Sequence, residues 1–223
     1  MRNLPCADLQ IDETWGFIGK KNKHATPIER NTGLGDAWTF FALDSETKLV
    51  PSFIVGKREA YYANMFLEEL AARLVCRPQL SSDALSAYDE AVERSFGAEV
   101  DYGQVVKTFS VVNLNQDVAS RYSPAECCAV TKSVKVGNPV RCRISASHVE
   151  KQNHTMRMHV RRLTRLTNAF SKKPENFKAA IALHFAYYSL CKIHLALRTT
   201  PAQAGGVEQS IWTAADLIEA CGE

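Results

Sequence analysis

The regular alternation of apolar and polar side chains near the start of the chain constrains the fold more than any other feature of the sequence. In the segment LQIDETWGF, the apolar face carries Leu9, Ile11, Trp15 and Phe17. The opposite face carries Gln10, Asp12 and Thr14. A period of two is typical of a β-strand with one buried face. The next segment, AWTFFALDSETKLVPSFIVG, predicts a hairpin whose turn lies at Ser45–Thr47. Three strands in succession have to form a sheet, which then needs covering layers to bury its apolar side chains.

Helical and extended patterns alternate after this hairpin. Apolar residues at helical spacing predict a helix from Glu59 to Leu74. PQLSSD predicts a short strand ending at Asp83, and a second helix is predicted from Ala84 to Phe96, where Gly97 ends it. VDYGQVVKTFS then predicts a fifth strand.

The second half of the chain is mostly helical in pattern. Residues 111–146 have weak periodicity and are interpreted as an insertion or a long surface loop. A basic helix is predicted from His148, a largely buried helix from Asn176 to His194, and a short closing helix after the linker TTPAQAGG. The interpretation is one domain over residues 1–200, followed by a linker and a C-terminal helix over 201–223. The fold class is α/β, a mixed five-stranded sheet with helices on both faces, and this order of elements resembles the ribonuclease-H-like fold.

Composition sets the broad class of protein. The 223 residues are 46% hydrophobic and 23% charged, which suits a globular domain with a sizeable core. Seven cysteines, an odd number without a C-x-x-C pair, indicate reduced thiols in a cytoplasmic protein. The most apolar stretch, Ala179 to Leu197, is interrupted by His184, Lys192 and His194, so no membrane span is predicted.

Three acidic residues are candidates for a catalytic site, and each also has a simpler explanation. Asp12 lies on the polar face of the first strand. On an edge strand it would need no explanation, whereas in a central strand its burial is costly unless the carboxylate is paired or metal-bound. Asp83 lies between a strand and a helix and could be the N-cap of that helix. Ser147 and Glu150 fit the S-x-x-E capping box. The three places converge in ribonuclease-H-like folds, where carboxylates suit two Mg²⁺ ions, with Mn²⁺ as a substitute.

The segment SHVEKQNHTMRMHVRRLTRL, from Ser147 to Leu166, is strongly basic. Between Val149 and Lys173 seven Lys and Arg residues stand against one acid, which is typical of a polyanion site, although a solvated helix face has the same composition. On a continuous helix, Glu150, Arg157 and Arg161 would lie on nearly one stripe, with His154 between them. The predicted DNA-binding residues are Lys151, His154, Arg157, Arg161 and Arg165.

Longer motifs carry a family resemblance. IDETWGFIGKK, TFFALDSETKLVPSFIVG, SDALSAYDEAVERSFG, VEKQNHTMRMHVRRLTRLTNAFSKKPEN and HFAYYSLCKIHLALRTTPA resemble the DDE transposases of bacterial insertion sequences, which are retroviral-integrase-like. The resemblance covers about Asn3 to Trp212. It implies that Asp12, Asp83 and Glu150 are the metal-binding catalytic triad and that Arg157 is the basic residue commonly found seven positions after the glutamate.

The activity implied by this resemblance is that of a DDE-type polynucleotidyl transferase. Such an enzyme performs Mg²⁺-dependent strand cleavage at transposon ends and strand transfer into target DNA. A homodimer or higher assembly on DNA and association with the bacterial nucleoid are also implied.

Two departures from the family pattern leave other functions open. Asp83 lies in Ser82-Asp83-Ala84-Leu85, where relatives have a T-D-G-H-like context. The zinc-finger or helix-turn-helix region that relatives carry before the catalytic domain is not visible, which predicts a catalytic fragment, a separately encoded half or a decayed copy. The alternatives are a non-catalytic DNA-binding relic or domesticated transposase, and a ribonuclease-H-like nuclease.

Overall fold

A computed structural model describes residues 1–109, 127–164 and 168–221. These residues form one six-stranded mixed sheet with the strand order β3-β2-β1-β4-β5-β6. The strands are β1 Asp8–Ile18, β2 Gly35–Asp44, β3 Phe53–Gly56, β4 Gln79–Asp83, β5 Asp101–Phe109 and β6 Cys127–Val136. The helices are α1 Pro27–Asn31, α2 Ala60–Ala71, α3 Ser86–Phe96, α4 Ser147–His159, α5 Pro174–Ala186, α6 Pro201–Ala204 and α7 Ala214–Ala220.

Strand β1 lies in the interior of the sheet and changes its pairing direction from one side to the other. On one side it is antiparallel to β2 over nine residue pairs, from Leu9–Asp44 to Phe17–Asp36. On the other side it is parallel to β4 over only three pairs, which end at Gln10–Ser81. Strands β4 and β5 are parallel, and β5 and β6 are antiparallel.

Helices cover both faces of the sheet, as the sequence predicted. Leu9 and Ile11 face α2 and α3, whose apolar stripes form one core with them. Residues of α4 and α5, including Val149 and Phe177, form the second core on the opposite face. The alternating pattern of β1 therefore decides which helices each of its side chains meets.

The sheet has one strand more than the five that were predicted. Strand β6 occupies part of the segment interpreted as an insertion or loop, and residues 110–126 of that segment lie outside the described residues. All but two of the β6 side chains are exposed, so the strand has no buried face to give it an apolar period. Backbone pairing with β5 holds it, and this pairing leaves no pattern in the sequence.

The helix predicted from Asn176 to His194 is shorter than expected. Helix α5 ends at Ala186, a π-helical turn follows over Tyr187–Cys191, and Lys192 is extended. None of the helices within 1–109, 127–164 and 168–221 is long and apolar enough to cross a membrane.

Candidate metal and nucleic-acid site

The carboxylates of Asp12 and Asp83 meet where β1 and β4 diverge. The parallel ladder ends at Gln10 and Ser81, and its register would place Asp12 opposite Asp83 two residues later. Ligand oxygens of Asp12, Glu13 and Asp83 all lie within 4.8 Å of one another. The β1–β4 pairing ends before Asp83, which is the last residue of β4. Asp12 from one face of the sheet and Glu13 from the other therefore both approach the Asp83 carboxylate in the gap between the strands. The structure thus brings together two of the three predicted acids and adds Glu13.

Asp12 faces α4. One of its carboxylate oxygens accepts a hydrogen bond from the Asn153 side-chain amide at 2.6 Å, and the other accepts from the backbone amide of Glu13 at 2.8 Å. Burial raises the pKa of Asp12 from 3.8 to about 7, and the charges of Glu13, Asp83 and Glu150 add to the rise. This carboxylate is therefore held where a cation would stabilise its charged form.

Glu13 faces the other side of the sheet. Its side chain is 2% exposed, and Arg58 contacts one of its oxygens at 2.7 Å while the Tyr88 hydroxyl donates to the other at 2.9 Å. Burial raises the pKa of Glu13, the charge of Asp83 adds to the rise, and Arg58 opposes it. The Arg58 guanidinium also lies 4.9 Å from the ring centroid of Trp38, which fixes its position. Glu13 was not predicted as a site residue, although a charged residue on the apolar face of β1 is a visible signal in the sequence.

Glu150 lies outside this cluster. Its carboxylate forms an ion pair with Lys107 of β5, and its charge is one of those that raise the pKa of Asp12. The capping-box explanation for Glu150 is wrong, because the N-cap of α4 is Ala146, with no side-chain cap. A residue from β1 performs that role instead: the side-chain oxygen of Gln10 accepts hydrogen bonds from the amides of His148 and Val149, at 2.9 and 3.2 Å.

Asn153 connects α4 to β1. Besides its bond to Asp12, its side-chain oxygen is hydrogen-bonded to the Thr14 hydroxyl. Asn153 follows Glu150 by three residues and so lies on the same side of the helix. Asn153 was not predicted as a site residue, and only its spacing from Glu150 could have indicated it.

Asp83 is not the N-cap of the following helix. Helix α3 begins at Ser86 with Leu85 as its N-cap, and one Asp83 oxygen accepts a hydrogen bond from the Leu85 amide at 3.1 Å. The N-cap explanation is therefore wrong by two residues, and the Asp83 side chain takes part in the turn between β4 and α3.

The predicted DNA-binding residues do not form one helical stripe. Lys151 and His154 are exposed on α4, and Arg157 is half-buried on the same helix. Helix α4 ends at His159, Val160 is extended, and Arg161 begins a separate 3₁₀ turn, so the predicted alignment of Arg161 with Glu150 is wrong. Arg165 lies outside the described residues.

Comparison with known proteins defines the fold class. No protein-family model matches the sequence, and no curated protein matches it. Among solved structures, the chain is similar to a chain in the cryo-EM structure of the simian T-cell lymphotropic virus intasome in complex with the PP2A regulatory subunit B56 gamma. The TM-score is 0.51 at 14% identity, and the match covers 96% of this chain and 60% of that one. The class that fold and site define is an α/β protein with an open mixed sheet, compatible with the ribonuclease-H-like fold.

Proposed function

We propose that residues 1–200 form the catalytic domain of a DNA transposase, which cleaves strands at transposon ends and joins them to target DNA. The observation that carries this proposal is the meeting of Asp12 and Asp83 at the fork between β1 and β4, beside the basic helix α4. The likeness of the fold to a chain in a viral intasome structure supports it. The family resemblance of the sequence motifs points to bacterial insertion sequences and to a protein that acts on the nucleoid.

The donor set fits Mg²⁺, or Mn²⁺ in its place. Asp12 and Asp83 offer hard carboxylate oxygens at one end of an open gap, where waters and a substrate phosphate would complete the coordination. Two such ions, when bound, supply activation of the attacking oxygen and stabilisation of the leaving oxygen. Both oxygens of Glu13 already have donors, Arg58 and Tyr88, so Glu13 is better suited to fix the cluster than to bind an ion.

Glu150 is proposed as the third ligand. Its present partner is the ammonium of Lys107, and the two side chains are 44% and 35% exposed. Exposed ion pairs contribute at most about 1 kcal/mol, so exchanging Lys107 for a metal ion costs little. The negative charge of Glu150 contributes to the raised pKa of Asp12, which supports its assignment to this site.

The remaining residues orient the carboxylates or bind DNA. Asn153 orients the Asp12 carboxylate through a 2.6 Å hydrogen bond, and the Arg58–Glu13 pair keeps a second carboxylate fixed beneath it. Lys151, His154, Arg157, Arg161 and Arg165 are proposed to bind backbone phosphates, because each contact between a cation and a phosphate releases counterions from DNA. Joining two ends at one target requires a homodimer or a higher assembly on DNA.

The test is strand transfer with Mn²⁺. Labelled duplexes with a free 3′-hydroxyl are incubated with supercoiled plasmid and the protein, and joined and nicked products are separated on denaturing gels. We expect metal-dependent joining by the wild type and none by Asp12→Asn or Asp83→Asn at unchanged DNA affinity.

The same gels separate the alternatives. Nicking without joining would identify a ribonuclease-H-like nuclease. DNA binding with neither product, over Mn²⁺ and Mg²⁺ titrations, would identify a non-catalytic relic and refute the proposal.

A further inference from the structure

A second basic surface lies on the flank of α4 that faces away from the carboxylates. It is a groove of about 470 Å³ between α4, the hairpin turn and the segment after the π-helical turn. The residues that define it are Lys48, His148, Lys151, Gln152, Lys192 and His194. On a helix with 3.6 residues per turn, Lys151 lies about 160° from Asn153, which contacts Asp12. Helix α4 therefore separates this groove from the carboxylate cluster.

The groove concentrates positive charge. The Lys48 ammonium lies 3.4 Å from a ring nitrogen of His148. Burial lowers the pKa of His148 and of His194. The positive charges of Lys48 and Lys151 lower both values further. Burial also lowers the pKa of Lys48, and Asp44 and Asp8 oppose this lowering. No carboxylate of the described residues, however, lies within ion-pair distance of the groove lysines, which are Lys48, Lys151 and Lys192.

Two buried polar atoms in the groove wall have no hydrogen-bond partner among the described residues. They are the side-chain nitrogen of Gln152, a residue that is 5% exposed, and Nδ1 of His194. A buried donor without a partner destabilises the fold, so its retention calls for an acceptor that arrives with a ligand. Three cations together with the buried side-chain amide of Gln152 are the complement of an anion that carries several oxygens.

We propose that this groove binds a backbone phosphate of DNA, so that α4 contacts DNA on both flanks. The inference rests on the proposed transposase function and deepens it by naming a second phosphate site. An α-helix is about 10–12 Å wide and the major groove of B-DNA is about 12 Å wide, so the strands that border the groove reach opposite flanks of a helix lying in it. One strand would then present its scissile phosphate to Asp12 and Asp83 while the other is held at Lys48 and Lys192.

The test uses two lysines that have no part in the carboxylate site. Lys48→Gln/Lys192→Gln removes two charges from the groove, and Arg2→Gln/Lys23→Gln removes two from exposed positions outside it. Binding of a fluorescein-labelled mixed-sequence duplex is measured by anisotropy at several salt concentrations. Each phosphate contact adds about 0.9 to the slope of log K against log salt, and is worth roughly eightfold in affinity at about 0.1 M salt. We expect the groove variant to bind the duplex more than tenfold more weakly than wild type. The magnitude of its slope of log K against log salt should be smaller by almost two, whereas the affinity and slope of the control should stay near those of wild type.

Gln152→Met supplies a readout that a purely structural role would not give. Removing a buried donor without a partner should raise the melting temperature of the free protein while weakening DNA binding. A lower melting temperature with unchanged DNA affinity would instead assign Gln152 to the core and count against the groove.

The remaining outcomes separate this inference from the proposed function. Groove variants with wild-type affinity and salt slope would overturn the inference, whatever the strand-transfer gels show. Suppose instead that the groove variant has wild-type DNA affinity, and that inorganic phosphate stabilises the wild type but not the groove variant. This outcome would assign the groove to a small anion and would also overturn the inference. A reduced slope in the groove variant, in a protein that joins no DNA, would uphold the groove and refute the transposase.

Discussion

Asp12→Asn should stabilise the protein at pH 8 in the absence of divalent metal. In the folded state the pKa of Asp12 is raised from 3.8 to about 7, mainly by burial and then by Glu13. The folded state therefore holds this proton more tightly than the unfolded state does. The stability that protonated Asp12 contributes is fully present below about pH 4 and is lost as pH rises through about 7.

The size of the effect follows from the same two values. One pKa unit corresponds to about 1.4 kcal/mol, so a rise from 3.8 to about 7 corresponds to about 4 kcal/mol above pH 7. Asparagine cannot accept hydrogen bonds from both Asn153 and the Glu13 amide as the carboxylate does, which costs about 1–2 kcal/mol. The net gain of about 2–3 kcal/mol should raise the melting temperature by about 5–10 °C for a chain of this length.

The assay is thermal unfolding of wild type and variant from pH 4 to pH 8 with EDTA, then with millimolar Mn²⁺. The difference in melting temperature should grow with pH, and Mn²⁺ should stabilise only the wild type, because ligand binding favours the folded state by mass action. Glu90→Gln, which removes one exposed charge from α3, is the control and should show neither effect. A variant less stable than wild type by the same amount at every pH would refute the reasoning that charge crowding destabilises this site.

Three further predictions concern α4 and its contacts. Asn153→Leu removes the donor to the Asp12 carboxylate and should lower the free energy of unfolding by about 1–2 kcal/mol at pH 8, measured by urea titration; no change would show that this hydrogen bond is not formed in solution. Gln10→Ala leaves two amides at the start of α4 without an acceptor and should cost about 2 kcal/mol, with faster hydrogen exchange in the first turn of that helix; unaltered exchange would contradict the cap. Glu150→Gln loses only an exposed ion pair with Lys107, so the free energy of unfolding should change by less than about 1 kcal/mol while strand transfer collapses; near-normal strand transfer would remove Glu150 from the metal site.

The strands were predictable wherever the packing of their side chains leaves a pattern in the sequence. Strand β1 alternates because its apolar residues pack against α2 and α3, whereas its polar residues contact α4. Strand β6 was missed because its side chains are exposed and only backbone hydrogen bonds define it. The end of α4 was missed for a related reason: VRRLTRL continues the helical composition, and only the extended conformation of Val160 separates Arg161 from the helix.

The candidate site was predictable in part. Asp12 and Asp83 were predicted from their places in the order of elements, and the structure brings their carboxylates together. Glu13 escaped notice because its partners, Arg58 and Tyr88, are distant in sequence and only the fold makes its burial tolerable. The capping box failed because S-x-x-E describes a local helix start, whereas the acceptor used here comes from Gln10, well over a hundred residues away.

The polar face of β1 also fixes the position of α4. Gln10 accepts hydrogen bonds from the first turn of the helix, while Asp12 and Thr14 both bond to Asn153 one turn later. These three alternate residues of one strand thus fix the direction of the α4 axis and the rotation of the helix about that axis. Contacts at two successive turns leave neither of them free to change. The carboxylate that would bind metal and the helix that would bind phosphate are therefore set relative to each other before DNA arrives, so that binding energy is not needed to assemble them. The alternation that makes the first segment a strand therefore also fixes the proposed metal ligand Asp12 relative to the proposed DNA-binding helix α4.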